Sequence, residues 1–170
     1  MKKFDLITEF LKGISFESPS VPELFFQQNN GQAKMDINID IQIKGADNDI
    51  YMVDLLIKLH SLLEVDCKTV FAVESIYSGL VQAEKTENEE ELKKTLLIDV
   101  PAMLFPAAKR LMEQIIMTSG FPPFKMQSID FNALYEARQA HGIPNNRDLH
   151  ESGKKLKSTK FKKGKTDILQ

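Results

Sequence analysis

The alternation of apolar and polar positions is strictest between Met35 and Ile43, where Met35, Ile37, Ile39, Ile41 and Ile43 are separated by Asp36, Asn38, Asp40 and Gln42. Period two marks a strand, because successive side chains point to opposite faces; this one carries an apolar stripe and a polar one. Such a strand suits an antiparallel sheet covered on one face only. Gly45-Ala46-Asp47-Asn48-Asp49 is a turn signal, and Tyr51, Val53, Leu55, Ile57 and Leu59 then form a second apolar stripe, opposed by Asp54, Lys58 and His60. Two stripes joined by a short turn predict a hairpin. Thr69 to Gln82, rich in Val, Phe, Ile and Tyr, predicts a further strand. Its looser pattern points to burial on both faces or to a partner contact.

The N-terminal stretch carries two patterns. Phe4, Ile7, Phe10 and Leu11 suit one face of a helix, whereas Ile14-Ser15-Phe16-Glu17 alternates, and the reading adopted is a strand from about Ile14. Ser18-Pro19-Ser20-Val21-Pro22 ends regular structure, since each proline lacks an amide hydrogen and biases its predecessor away from the helical region. A surface loop through Asn29-Asn30-Gly31 follows.

Helix begins where acids cluster. Asn88 reads as an N-cap and Glu89, Glu90 and Glu91 as its first turn, where carboxylates meet the positive end of the helix dipole. Pro101 is expected to interrupt this helix. Leu104, Ala108, Leu111, Met112 and Ile115 give the apolar face of a second one, with Pro106 near its start and Gly120 at its end. After the stiff link Phe121-Pro122-Pro123-Phe124, Ser128 to Gln139 predicts a third helix, with Ile129, Phe131, Leu134 and Tyr135 as anchors.

Charge is unevenly spread. From residue 147 onward, Arg147, Lys154, Lys155, Lys157, Lys160, Lys162, Lys163 and Lys165 face only Asp148, Glu151 and Asp167, a formal +5, so the rest of the chain holds −7 of the overall −2. The lysine-rich run lacks periodicity and is expected to be disordered, because it cannot bury enough apolar surface to offset chain entropy. No apolar run approaches the ~20 residues of a membrane helix. The N-terminus also lacks a long apolar leader segment, which makes the cytoplasm the expected location.

Catalytic motifs are missing. Cys67 is the single cysteine, which excludes an internal disulfide and a multi-Cys zinc site, and it reads as a buried or half-buried strand residue. Asp36-Ile37-Asn38-Ile39-Asp40 superficially matches a calcium loop, but Ile41 stands where the sharp turn wants glycine. His60, His141 and His150 are too scattered for a metal cluster. No phosphate-binding, dinucleotide or nucleophile-elbow fingerprint occurs. The chain therefore reads as a non-enzyme with no cofactor and no metal.

Several stretches carry a family resemblance. Ile14-Ser15-Phe16-Glu17-Ser18-Pro19-Ser20-Val21-Pro22 resembles the N-terminal strand signature of the SecB protein-export chaperones. Leu104-Phe105-Pro106-Ala107-Ala108-Lys109-Arg110, then Gly120-Phe121-Pro122-Pro123 and Ile129-Asp130-Phe131-Asn132-Ala133-Leu134-Tyr135, is similar in order and spacing to that family's helical half. Thr69 to Gly79, with Phe71, Glu74 and Gly79, fits the strand between. The match covers about Ile14 to Tyr135.

The resemblance implies an α+β fold, a twisted four-stranded antiparallel sheet with helices packed on one face. It also implies a homotetramer built as a dimer of dimers, with residues 1–142 as the chaperone domain and 143–170 as a basic tail. The implied activity is that of an ATP-independent holdase, which keeps precursor proteins unfolded and passes them to the SecA translocation motor. A holdase needs apolar grooves that can repack around many sequences. Phe25, Phe26, Met35, Ile37, Phe105, Phe121, Phe124, Met126 and Phe131 are the candidate lining. The family meets SecA through acids on the outer sheet face, and Glu17 and Glu74 stand at matching positions. Gly13 stands where an acid is expected, and Ala72 where a leucine is expected. Lys154, Lys155, Lys157, Lys160, Lys162, Lys163 and Lys165 have the charge of the basic tail with which some members contact the motor. Two alternatives stay open: a chaperone dedicated to one client such as an antitoxin, and a nucleic-acid-binding module acting through the tail.

Overall fold

The computed structural model describes residues 3–26, 32–45, 48–84, 86 and 88–140. The Asn29-Asn30-Gly31 loop, part of the hairpin turn, His141, His150 and the whole lysine-rich tail lie outside the described residues. The chain runs β1 (Phe4–Glu17), α1 (Glu23–Phe26), β2 (Ala33–Gly45), β3 (Ile50–Leu63), β4 (Thr69–Ala83), α2 (Glu89–Lys94), a π-helical segment (Thr95–Asp99), α3 (Val100–Thr118) and α4 (Phe131–Ala140). The four strands form one antiparallel sheet in the order β1-β4-β3-β2, so β1 and β2 are its edges. The expected α+β architecture and the β2–β3 hairpin are both present.

Register explains which face the helices cover. Met35, Ile37, Ile39, Ile41 and Ile43 oppose Ser61, Leu59, Ile57, Leu55 and Val53. Leu59, Leu55 and Val53 in turn oppose Val73, Tyr77 and Gly79. These residues share the inner face, where Val53, Leu55, Ile57, Leu59, Val73 and Val81 are buried beneath Leu104, Ala108, Met112 and Ile116 of α3. The helix comes so close that a Cβ added at Gly79 would stand 3.0 Å from Leu104 Cδ2, which gives this glycine a packing reason.

The first strand starts at Phe4, not near Ile14. Leu6 opposes Val81 while Thr8 opposes Leu80, and Leu11 opposes Tyr77 while Gly13 opposes Ile76. Ile7 and Lys12 are therefore extra residues in two β-bulges. Each bulge shifts the alternation by one, so the apolar positions Phe4, Ile7, Phe10 and Leu11 imitate helical spacing although the backbone is extended.

The helical half also departs from expectation. Pro101 does not break the helix: Glu89 to Thr118 continues through the π-helical turn, where the Val100 N–H reaches back to the Thr95 carbonyl. The wider turn accommodates a proline that cannot donate. Pro106 is accordingly interior to α3 and not near a helix start. Asn88 caps as expected, its Oδ1 accepting from the Glu90 and Glu91 amides at 3.1 and 3.3 Å. Asp130 likewise caps α4 through the Asn132 and Ala133 amides. Cys67 is exposed in a turn at φ +55°, contrary to the strand placement.

Candidate functional site: an apolar band and two sheet edges

An aromatic cluster joins the ends of three elements on the inner face. Phe16 of β1 and Phe71 of β4 stack at 5.9 Å between centroids, and Phe121 sits on Phe71 at 5.1 Å and on Phe25 of α1 at 5.4 Å. Phe25 and Phe26 remain 51% and 80% exposed, so the cluster opens to solvent at α1. Gly120, at φ +88°, turns the chain between α3 and the Phe121 link, with the Phe25 ring 3.4 Å from where its Cβ would be. Across the sheet Phe71 opposes Ser61, which opposes Met35. Two strand spacings of about 4.8 Å put Met35 about 10 Å from Phe71 on the same face. The band thus runs from Phe25 towards the β2 edge, where Met35 is half-buried and Ile37 is 41% exposed.

The candidate lining residues divide accordingly. Phe25, Phe26, Met35, Ile37 and the ring edge of Phe121 border the band. Phe124 is half-buried on the link. Phe105, Met126 and Phe131 are core residues: Phe105 meets Phe131 edge-on at 5.8 Å, and the Met126 amide donates to Glu113 Oε1 at 2.7 Å, fastening the link to α3. Within a protomer those three are sealed. Sequence reading passed over Phe16 and Phe71, whose signal was their place on the apolar side of strand stripes.

On the outer face, Glu17 opposes Ala72 in register and Ser15 opposes Glu74. All three residues expected to meet the motor therefore lie together on β1 and β4, with Glu17 and Glu74 exposed. Glu74 is engaged by Lys58 at 3.1 Å, an exposed pair across β3 and β4. Further along the same face Asp54 is only 2% exposed. Its carboxylate accepts from Ser78 Oγ at 2.6 Å and from Lys12 Nζ at 2.7 Å, with Lys44 Nζ at 3.7 Å. One buried charge thus links all four strands, and the Lys12 bulge is what aims a β1 lysine across β4 at it.

β1 pairs only with β4, and its outer edge carries exposed Leu6, Ile7, Phe10, Leu11 and Ile14. A long apolar edge strand is a template for pairing with another chain. Tyr77, opposite Leu11, has its phenol pushed up by burial and, secondarily, by the nearby Glu9 carboxylate. Tyr135 of α4 is pushed up by burial and by its hydrogen bond to Glu90, which it reaches at 3.1 Å. Among the described residues no group of three or more His, Cys, Asp or Glu could hold a metal ion, and no helix is long and apolar enough to cross a membrane.

Comparison with known proteins gives a consistent result. A SecB protein-export protein of Caulobacter vibrioides is 35% identical over 135 residues, covering 79% of this chain and 80% of its own. One from Rhizorhabdus wittichii is 37% identical over 130 residues, covering 76% and 75%. Among solved structures, a SecB-like chaperone of Mycobacterium tuberculosis, in complex with a ChAD peptide from an antitoxin, superposes with a TM-score of 0.61 at 13% identity, covering 75% of this chain and 91% of that one. That likeness shows the fold. The family model described as preprotein translocase subunit SecB matches residues 1–142. With the sheet order, the helical half and these matches in agreement, the chain belongs to the SecB family.

Proposed function

We propose that this protein is an ATP-independent export chaperone that holds precursor proteins unfolded on its apolar band and passes them to the SecA motor. The observation that carries the reading is the opening of the Phe16–Phe71–Phe121 cluster through Phe25 and Phe26 to solvent. Large exposed aromatics are costly to leave in water unless something is to be bound there. An unfolded chain supplies apolar groups at irregular spacing, and several weak contacts along one band give residence time without demanding one sequence. No bond is made or broken in this role, so neither catalytic residue nor cofactor is required.

Glu17, Ala72 and Glu74 are the proposed motor contact, working through long-range attraction more than tight packing, because the acids are solvated and partly paired. Alanine at position 72 offers little apolar surface of its own. The proposed assembly is a homotetramer, a dimer of dimers, in which the β1 edges bury Leu6, Phe10 and Leu11. The proposed setting is the cytoplasm, with Lys154, Lys155, Lys157, Lys160, Lys162, Lys163 and Lys165 as a secondary anionic contact on the motor. Incubation with a slowly refolding precursor tests the reading. Refolding should be retarded at one tetramer per client without nucleotide, and unchanged refolding at that ratio would reject it.

A further inference from the structure

The β2 edge is divided by a built-in clip. In an edge strand of an antiparallel sheet, alternate residues direct both N–H and C=O away from the neighbouring strand. The Ile39 carbonyl accepts from Arg138 Nη2 of α4 at 2.6 Å. The Ile41 N–H donates to Asp40 Oδ1 at 2.9 Å, and the same oxygen lies 3.0 Å from Arg138 Nη1. Ile39 and Ile41 thus belong to the edgeward set, and so by alternation do Met35, Ile37 and Ile43. Arg138 and Asp40 occupy the middle of this edge with side chains of the protein itself. Met35 and Ile37 lie before the clip, where the inner-face side chains are also most open.

We infer that the Met35–Ile37 stretch is a strand-addition site for one extended segment of unfolded client, and that the Arg138–Asp40 clip is its stop. This rests on the holdase reading and gives it a register. An extended client would exchange backbone hydrogen bonds with the open stretch, which any sequence can do. Its side chains on one face would then meet the band that leads to Phe71 and Phe25. A second copy of the chain is the poorer occupant: the clip leaves only the first part of a 13-residue strand open. The opposite edge, β1, offers 14 residues and carries the exposed apolar side chains. The clip also limits how much chain is held, so release stays fast. Arg138 is a positioning residue in this scheme, setting the footprint without needing to touch the client.

Backbone amide exchange, read residue by residue with reduced and carboxymethylated α-lactalbumin as a permanently unfolded client, tests this. Client should slow exchange at Met35 and Ile37 in the unaltered protein and leave Ile41 unchanged. The pair Arg138→Met and Asp40→Ala, which opens both blocked positions, should carry the slowed exchange on to Ile39 and Ile41. It should also tighten binding by about tenfold, as expected for two added hydrogen bonds. Client binding without slowed exchange at Met35 and Ile37 would overturn the inference while leaving the holdase reading intact. Slowing that requires no client and grows with protein concentration would assign the edge to self-association and also overturn it. Failure to bind the client at all would remove both readings together.

Discussion

The buried carboxylate of Asp54 sets the clearest energetic test of how the edge strand is held. Lys12→Met removes the closer of its two cations, the one at 2.7 Å, while keeping most of the aliphatic stem. Deleting one partner of a fully buried pair costs about 3–5 kcal/mol, because an uncompensated charge is left behind. Here the loss is smaller: Ser78 Oγ still donates at 2.6 Å, and Lys44, already at 3.7 Å, can close in. Roughly half the full penalty, about 2 kcal/mol, is the expected destabilisation. With an m-value of about 2 kcal/mol/M in urea, the midpoint should fall by about 1 M. Protomer concentration must be fixed, since self-association would add to apparent stability. The decisive comparison is Lys12→Met in an Asp54→Asn background, where no buried charge remains and the change should cost less than about 0.5 kcal/mol. An equal loss in both backgrounds would refute the electrostatic explanation and leave only lost packing at the bulge. A Lys12→Met protein as stable as the parent would refute it as well.

Other consequences follow from single contacts. Gly79→Ala pushes a methyl to 3.0 Å from Leu104 Cδ2, and should cost about 1–3 kcal/mol by thermal unfolding, partly recovered by Leu104→Ala. Phe26→Ser should leave stability within about 0.5 kcal/mol, because the ring is exposed, yet weaken retention of an unfolded precursor. Glu17→Lys with Glu74→Lys should lower motor affinity most at low ionic strength, with the difference shrinking as salt is raised. For Tyr77 the folded phenol titrates above the ordinary value of 10.0. Its contribution is therefore fully present below about pH 10 and is lost as pH rises through the folded value, where the unfolded phenol ionises first. Tyr77→Phe should flatten that alkaline loss, which a pH series of thermal midpoints measures.

Much of this fold is legible in the sequence where one rule governs one element. The β2 and β3 stripes obey period two because each has one covered face and one wet face. Asn88 and Asp130 announce helix starts because a capping oxygen must precede free amides. The failures have equally physical causes. Ile7 and Lys12 insert into β1, and a strand with two bulges loses the period that identifies it. Pro101 reads as a break because a π-helical turn depends on tertiary packing that the local sequence does not record. Cys67 reads as a strand residue because composition speaks of average burial, while a turn at positive φ is a local exception. At the site, the exposed Phe25 and Phe26 are open to sequence reading as groove residues. The sealing of Phe105, Met126 and Phe131 depends on where α3, the link and α4 meet. Arg138 has no visible role in sequence, since its partner Ile39 lies 99 residues away and offers only a backbone oxygen.

The central claim is that unfolded chains are held on the open apolar band and not elsewhere. Its most direct measurement is an NMR titration of the protein, labelled at phenylalanine rings and at methionine and isoleucine methyls, with an unfolded precursor fragment. The account expects intermolecular contacts at Phe25, Phe26, Met35 and Ile37, with the core rings of Phe105 and Phe131 unaltered. Contacts confined to the outer sheet face around Glu17 and Glu74, with Phe25 and Phe26 silent, would contradict it.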